Sequence, residues 1–220
     1  QWNEAILVEE PERVENEDGS ATVTFKLKDD VKWSDGEPLT ADDYLFFSLL
    51  HSHPNYIPMT GSMEIGDDSL LGYEAYHSGE SEELEGLEKI DDYTFSLTIR
   101  AEELPYFDVQ ALSTAGDRPI HHIAPDLRVA DNGKSLVARE DYELTDSEER
   151  EAYDQAVAER DAEIAELEAS KEGDIDPTRL LIDRAAIFET EEYRFNPAVT
   201  EGPYKFESVS YTHLTLPTKA

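Results

Sequence analysis

Residues Thr22 to Lys28 alternate apolar and polar, with Val23, Phe25 and Leu27 on one side and threonines and lysines on the other. A period of two predicts a strand with one buried face. Asn16-Glu17-Asp18-Gly19 precedes it and reads as a turn. A hairpin with the preceding segment is therefore expected, and Ile6-Leu7-Val8 is a further short apolar run. Asp35-Gly36 marks a second tight turn. Thr40 then offers an N-cap oxygen, and Asp43, three residues on, can complete a capping box. Tyr44-Leu45-Phe46-Phe47-Ser48-Leu49-Leu50 is apolar around most of its circumference, which predicts a largely buried helix. Pro54 ends it.

Residues 55–80 read as loop, and 81–88 as a short acidic helix. Ile90 to Ile99 alternates again, with Tyr93, Phe95, Leu97 and Ile99 on one face, and predicts a single strand. Pro105-Tyr106-Phe107 opens a helix to about Leu112. Pro119 and Pro125 bracket a linking segment that carries His121 and His122. The composition shifts near residue 140. Thr145-Asp146-Ser147-Glu148 is a capping box for a helix to about Ser170, and Tyr153, Val157, Ile164 and Leu167 form a thin apolar stripe on an acidic rod. Gly173 stops it. A further helix is expected over 178–188, broken by Asn196-Pro197. After Gly202-Pro203 a strand would place Tyr204 and Phe206 on one face.

The chain has 220 residues, enough for one core or for one lobe of something larger. Hydrophobic residues make up 39%, which is not a disordered composition. Against 18 Lys+Arg stand 52 Asp+Glu, a net charge of −34. Such a surface repels phosphates and anionic headgroups, so nucleic-acid binding and direct docking to a membrane surface are set aside. There is no cysteine, hence no disulfide framework, thiolate metal site or thiol nucleophile. No apolar run reaches the ~18 residues of a membrane span. Gln1 follows no basic and apolar leader, so a signal peptide is either absent or already removed.

Chemistry-bearing motifs are few. No Gly-x-Ser-x-Gly elbow, phosphate loop or His-Glu-x-x-His helix occurs, and no enzyme activity is expected. His51 and His53 are two apart at a helix end, which puts them on different faces, and His121-His122 is a poor ligand pair. Glu15 to Gly19 lacks the twelve-residue calcium-loop pattern. No metal or cofactor is expected.

The stretch Phe25-Lys26-Leu27-Lys28-Asp29-Asp30-Val31-Lys32-Trp33-Ser34-Asp35-Gly36-Glu37-Pro38-Leu39-Thr40-Ala41-Asp42-Asp43-Tyr44 resembles a hallmark of the solute-binding proteins of oligopeptide, dipeptide and nickel ABC importers, solute-binding protein family 5. Ile90 to Ile99, Pro105-Tyr106-Phe107 and Thr200-Glu201-Gly202-Pro203-Tyr204-Lys205 resemble later family segments in the same order. Thr200 and Glu201 depart from it, standing where small residues are usual. The resemblance covers about residues 15–125 and 196–207.

It implies a mixed α/β fold that is part of lobe I of a two-lobed periplasmic-binding-protein (type II) architecture. Residues 1–140 would form the N-terminal lobe segment, 141–176 an acidic helical insertion and 177–207 the return to the lobe. Residues 208–220 do not continue the pattern and look like a non-native tail. The implied function is capture of peptides or similar solutes outside the membrane for ABC permease subunits. The implied protein is an extracytoplasmic monomer, held at the membrane only by a lipid anchor outside these residues. Tyr56, Met59, Thr60 and Ser62 follow the first-lobe helix, near where the family's cleft lies, and are the candidate ligand contacts. Trp33, Asp35, Gly36, Thr40 and Asp43, with Gly202, Pro203 and Tyr204, are motif residues with a structural role, Trp33 packing the strand against the helix. The alternative is an acidic protein-interaction module built on the helix 145–170. A partial lobe would expose apolar surface, so marginal stability is expected for residues 1–207 alone.

Overall fold

The computed structural model describes residues 3–56, 67–104, 117–139, 177–195 and 197–200. Four antiparallel strands form its sheet: β1 (Glu12–Glu15), β2 (Ala21–Lys26), β3 (Leu87–Asp91) and β4 (Thr94–Ile99), in the order β1-β2-β4-β3. The expected hairpin is present, with Glu12 opposite Thr24 and Glu15 opposite Ala21. Its turn closes through Gly19 N–H to Asn16 O at 3.0 Å, with Gly19 at φ +86°. Only a residue without a Cβ takes that conformation cheaply.

The apolar faces of β2 and β4 coincide. Val23 pairs with Leu97 and Phe25 with Phe95, and the two phenyl rings stack with centroids 5.1 Å apart. Helix α1 (Ala41–His51) lies against this face, and Tyr44 stacks on Phe95 at 5.2 Å. Phe46, Leu45, Leu49 and Leu50 are fully enclosed. Aromatic stacking and burial of this kind join the helix to the sheet.

Three expectations need correction. Ile90 to Ile99 is a hairpin rather than one strand. Asp91 Oδ1 accepts the Tyr93 N–H at 2.8 Å, and the chain reverses there. Two consecutive aspartates supplied turn chemistry inside an alternating pattern. Phe95, Leu97 and Ile99 do share the buried face, whereas Ile90 sits on the outer strand, 53% exposed.

Residues 81–88 are not helical. Leu84 and Leu87 have helical spacing, but Gly86 N–H donates to Leu71 O and Thr98 N–H donates to Gly86 O, each at 2.7 Å. A Cβ on Gly86 would come within 2.8 Å of Leu71 N and Thr98 O. The backbone is spent on neighbouring segments, and none is left for a helix.

Residues 55–80 are not all loop. Asp67–Ser69 is a 3₁₀ turn, and α2 (Tyr73–His77) follows Gly72. Tyr76 is buried and donates to Leu49 O at 3.2 Å, which fixes α2 to α1.

Beyond the sheet, α3 (Ile120–Ile123) occupies the bracketed link and leads into a small hairpin, β5 (Leu127–Val129) with β6 (Leu136–Ala138). The expected helix is α4 (Pro177–Phe188), continued by a π-helical turn over Glu189–Tyr193. Leu181, Ala185 and Ala186 join the same core as Leu49 and Phe95. The helices expected at 105–112 and 145–170, and the strand after Pro203, lie outside the described residues. Among those described, no helix is long and apolar enough to cross a membrane.

Candidate functional site

The chain leaving α1, from His51 to Tyr56, runs between two polar clusters. Helix α1 places His51 on its last turn, with the imidazole between Phe47 (centroids 4.0 Å) and Tyr56 (4.4 Å). Glu189, at the start of the π-helical turn, faces it. The Tyr56 hydroxyl donates to Glu189 Oε2 at 2.8 Å, and Arg118 Nε donates to Oε1 at 2.7 Å. His51 Nε2 stands 3.7 Å from Oε2. Arg118 also lies over the rings of Phe47 (5.1 Å) and Tyr193 (5.9 Å).

Burial by itself would raise the Glu189 pKa. The His51 ring and the Arg118 guanidinium outweigh it and hold the carboxyl at about 2. Burial holds the His51 imidazole below its ordinary value. The cluster at neutral pH is thus a carboxylate balanced chiefly by Arg118.

On the other side, Asn55 Nδ2 donates to both oxygens of Asp183 on α4, at 3.0 and 3.1 Å. Arg179 Nε lies 3.9 Å from the same carboxylate, and His53 Nδ1 4.0 Å. An open groove of about 660 Å³ borders this cluster. His53, His77, Ser135, Val137, Arg179 and Ile182 are among its walls.

Of the candidate ligand contacts, Tyr56 is 3% exposed and its hydroxyl is committed to Glu189. Met59, Thr60 and Ser62 lie outside the described residues. Sequence reasoning missed Arg118, Asp183 and Glu189. Only their position among apolar residues in a helical pattern marked the two acids, and no signal tied either to a partner more than a hundred residues away.

The motif residues form a separate knot. Trp33 is 3% exposed, and its Nε1–H donates to Asp43 Oδ2 at 3.2 Å. The same oxygen accepts the Thr40 N–H at 2.9 Å, the return half of the capping box. Oδ1 accepts the Ile120 N–H at 3.2 Å. Burial pushes the Asp43 carboxyl up to about 6, against these bonds, which favour the charge. Asp35 Oδ2 lies 2.8 Å from His121 Nε2, and Gly36 takes φ +100° in the turn. Ser34 N–H donates to Thr200 O at 2.9 Å, so the motif turn touches the segment leading to Gly202-Pro203-Tyr204, itself outside the described residues. Among the described residues, no group of three or more His, Asp or Glu could hold a metal.

A family model described as "Bacterial extracellular solute-binding proteins, family 5 Middle" matches residues 7–216. The chain belongs to this family. Its members are solute-binding proteins. The periplasmic oligopeptide-binding protein OppA of Salmonella typhimurium is 33% identical over 102 residues, 44% of this chain and 17% of that protein. The oligopeptide-binding protein OppA of Lactococcus lactis subsp. lactis (strain IL1403) is 37% identical over 68 residues, 30% of this chain and 11% of the other. The family 5 chain thus matches less than a fifth of the length of these curated relatives. Among solved structures, Listeria monocytogenes OppA bound to peptide aligns over 65% of this chain and 31% of its own, at 21% identity and a TM-score of 0.41.

Proposed function

We propose that this family 5 chain is part of the ligand-binding component of an ABC importer, which captures peptides or similar solutes outside the membrane and delivers them to permease subunits. The observation that carries this reading is the family match across residues 7–216. The oligopeptide-binding relatives make peptides the favoured solute class. In this reading the protein catalyses nothing. It is extracytoplasmic and monomeric, and a lipid anchor outside these residues holds it at the membrane.

The ligand-contacting stretch is proposed to be the one that starts at Tyr56 and includes Met59, Thr60 and Ser62. Tyr56 then acts as its fixed end, because the bond to Glu189 ties it to the body. Peptide backbone is recognised through hydrogen bonds and through the charges at its ends, and closure of two lobes over the ligand would complete the pocket.

Residues 1–140 and 177–207 are proposed to be one lobe, interrupted by an acidic insertion over 141–176. In support, α4 shares a core with α1, and Asp183 and Glu189 are held by Asn55, Tyr56 and Arg118.

Disrupting the gene in its host tests the reading. Uptake of labelled oligopeptides is expected to fall to background while uptake of free amino acids continues. Unchanged oligopeptide uptake, with no other peptide importer present, would overturn it.

A further inference from the structure

The β5–β6 hairpin leaves one strand edge open to the groove. Ala130 N–H donates to Ser135 O and Arg139 N–H donates to Asp126 O, each at 2.9 Å. Bonded pairs alternate along an antiparallel ladder. Arg128 and Val137, opposite each other midway between those two pairs, are therefore the next bonded pair. Leu136 lies out of step with them and turns its N–H and C=O away from β5. Among the described residues, no hydrogen bond reaches either group.

Other strand edges are closed or guarded. The outer edge of β3 is met by the β5–β6 turn, where Lys89 N–H donates to Asn132 O at 3.0 Å. On the edge strand β1, Glu12, Arg13 and Glu15 follow Pro11, and charges and proline discourage the addition of a strand. Ser135, Leu136, Val137 and Ala138 include neither a charge nor a proline.

This edge is also recessed. Ser135, Leu136 and Val137 all line the groove of about 660 Å³. Successive side chains of a strand point to opposite faces, so a groove that touches all three runs along the strand's edge. Asn55, on another wall, leads directly into Tyr56, where the proposed ligand-contacting stretch begins. The walls hinder approach by a second folded sheet and leave room for a single extended chain.

We infer that the β6 edge is a backbone-recognition subsite for the peptide: an extended ligand lies in the groove, accepts a hydrogen bond from Leu136 N–H and donates one to Leu136 O. The inference rests on the solute reading proposed above and adds a second element to the site that starts at Tyr56. Strand addition of this kind draws affinity from main-chain bonds, so the subsite is tolerant of ligand sequence. A free amino acid has no peptide N–H to donate to Leu136 O.

The test follows amide hydrogen exchange of the full-length protein by NMR, with and without a saturating mixed pentapeptide library. Leu136 N–H is expected to slow by at least about ten-fold on binding. Val137 N–H, already bonded to Arg128, is expected to change little. Libraries N-methylated at one backbone position in turn give a second readout. Methylation at the position facing Leu136 O is expected to abolish the protection, and methylation elsewhere to preserve it. If calorimetry shows peptide binding while Leu136 exchange is unchanged, the inference is overturned and the solute reading stands. Protection that survives methylation at every position also overturns it, because general closure then shields the amide. Absence of binding by any peptide overturns both. Val137→Trp, at a half-buried position on the face of β6 opposite buried Leu136, narrows the groove. It is expected to weaken peptide binding by about ten-fold, equivalent to losing two modest hydrogen bonds, with an unchanged urea midpoint. Unchanged affinity in this variant overturns the inference.

Discussion

Ser34 and Thr200, 166 residues apart, exchange two hydrogen bonds: Ser34 N–H donates to Thr200 O at 2.9 Å, and Thr200 N–H donates to Ser34 Oγ at 3.1 Å. This pair ties the Trp33–Asp43 motif to the chain that returns after residue 177. Ser34→Ala removes the second bond and keeps the first. It is expected to cost about 0.5–1.5 kcal/mol, measured as a shift in urea midpoint with an unchanged m-value. A change in m-value would mean that the return segment had detached.

Glu189 gathers Tyr56, His51 and Arg118 at one buried point. Glu189→Ala leaves Arg118 without its counter-charge and is expected to cost about 3–5 kcal/mol. Tyr56→Phe loses the hydroxyl's bond to the charged Glu189 carboxylate and should cost about 1.5–3 kcal/mol. In a double-mutant cycle the two losses should fall short of additive, since they share one interaction. Additive costs would show that the hydroxyl and carboxylate act independently.

Asp43 and Glu189 should give opposite pH signatures. The Asp43 pKa is raised in the folded state to about 6 from an ordinary 3.8. The folded protein therefore holds this proton more tightly than the unfolded chain, and stability from Asp43 falls as pH rises between about 4 and 6. Glu189 is lowered from 4.5 to about 2. Its contribution is present above pH 4.5 and is lost as pH falls towards 2. Replacing Asp43 with Asn should remove the loss of stability between pH 5 and 7.5 that the native protein shows relative to the variant. An unchanged difference between the two proteins at pH 5 and 7.5 would contradict this assignment.

Glycine substitutions should rank by what surrounds them. At Gly36 a Cβ would meet nothing within 4 Å, and only the positive φ opposes it, so Gly36→Ala should cost about 1 kcal/mol. At Gly86 the Cβ would collide with the backbone of Leu71 and Thr98. Gly86→Ala should cost more and should loosen the junction between α2 and the β3–β4 hairpin. Hydrogen exchange of the Leu71 and Thr98 amides, which this junction protects, checks it.

These sites also show what could be read from the sequence. Val23, Phe25, Leu97 and Ile99 announced their buried faces because alternation is a local signal. Thr40 and Asp43 announced the start of α1, because capping is settled within three residues. The break at Asp91-Asp92 was hidden inside an alternation that continues on both sides. The helical spacing of Leu84 and Leu87 was overridden by bonds from Gly86 to Leu71 and Thr98. The Trp33 motif carried the family. The clusters around Glu189 and Asp183 carried no local mark, because each is assembled by α4 folding back on α1 across more than 120 residues. Tyr56 was singled out for its place after α1, and its partner was legible only in the fold.

The most direct test of the account is calorimetric titration of the purified full-length protein, freed of bound ligand by mild unfolding and refolding, with a mixed pentapeptide library and with the corresponding free amino acids. The account predicts saturable binding of peptides at micromolar or tighter Kd (about −8 kcal/mol or more favourable), and no comparable binding of the amino acids. A refolded, ligand-free protein that gives no heat with any peptide would contradict it.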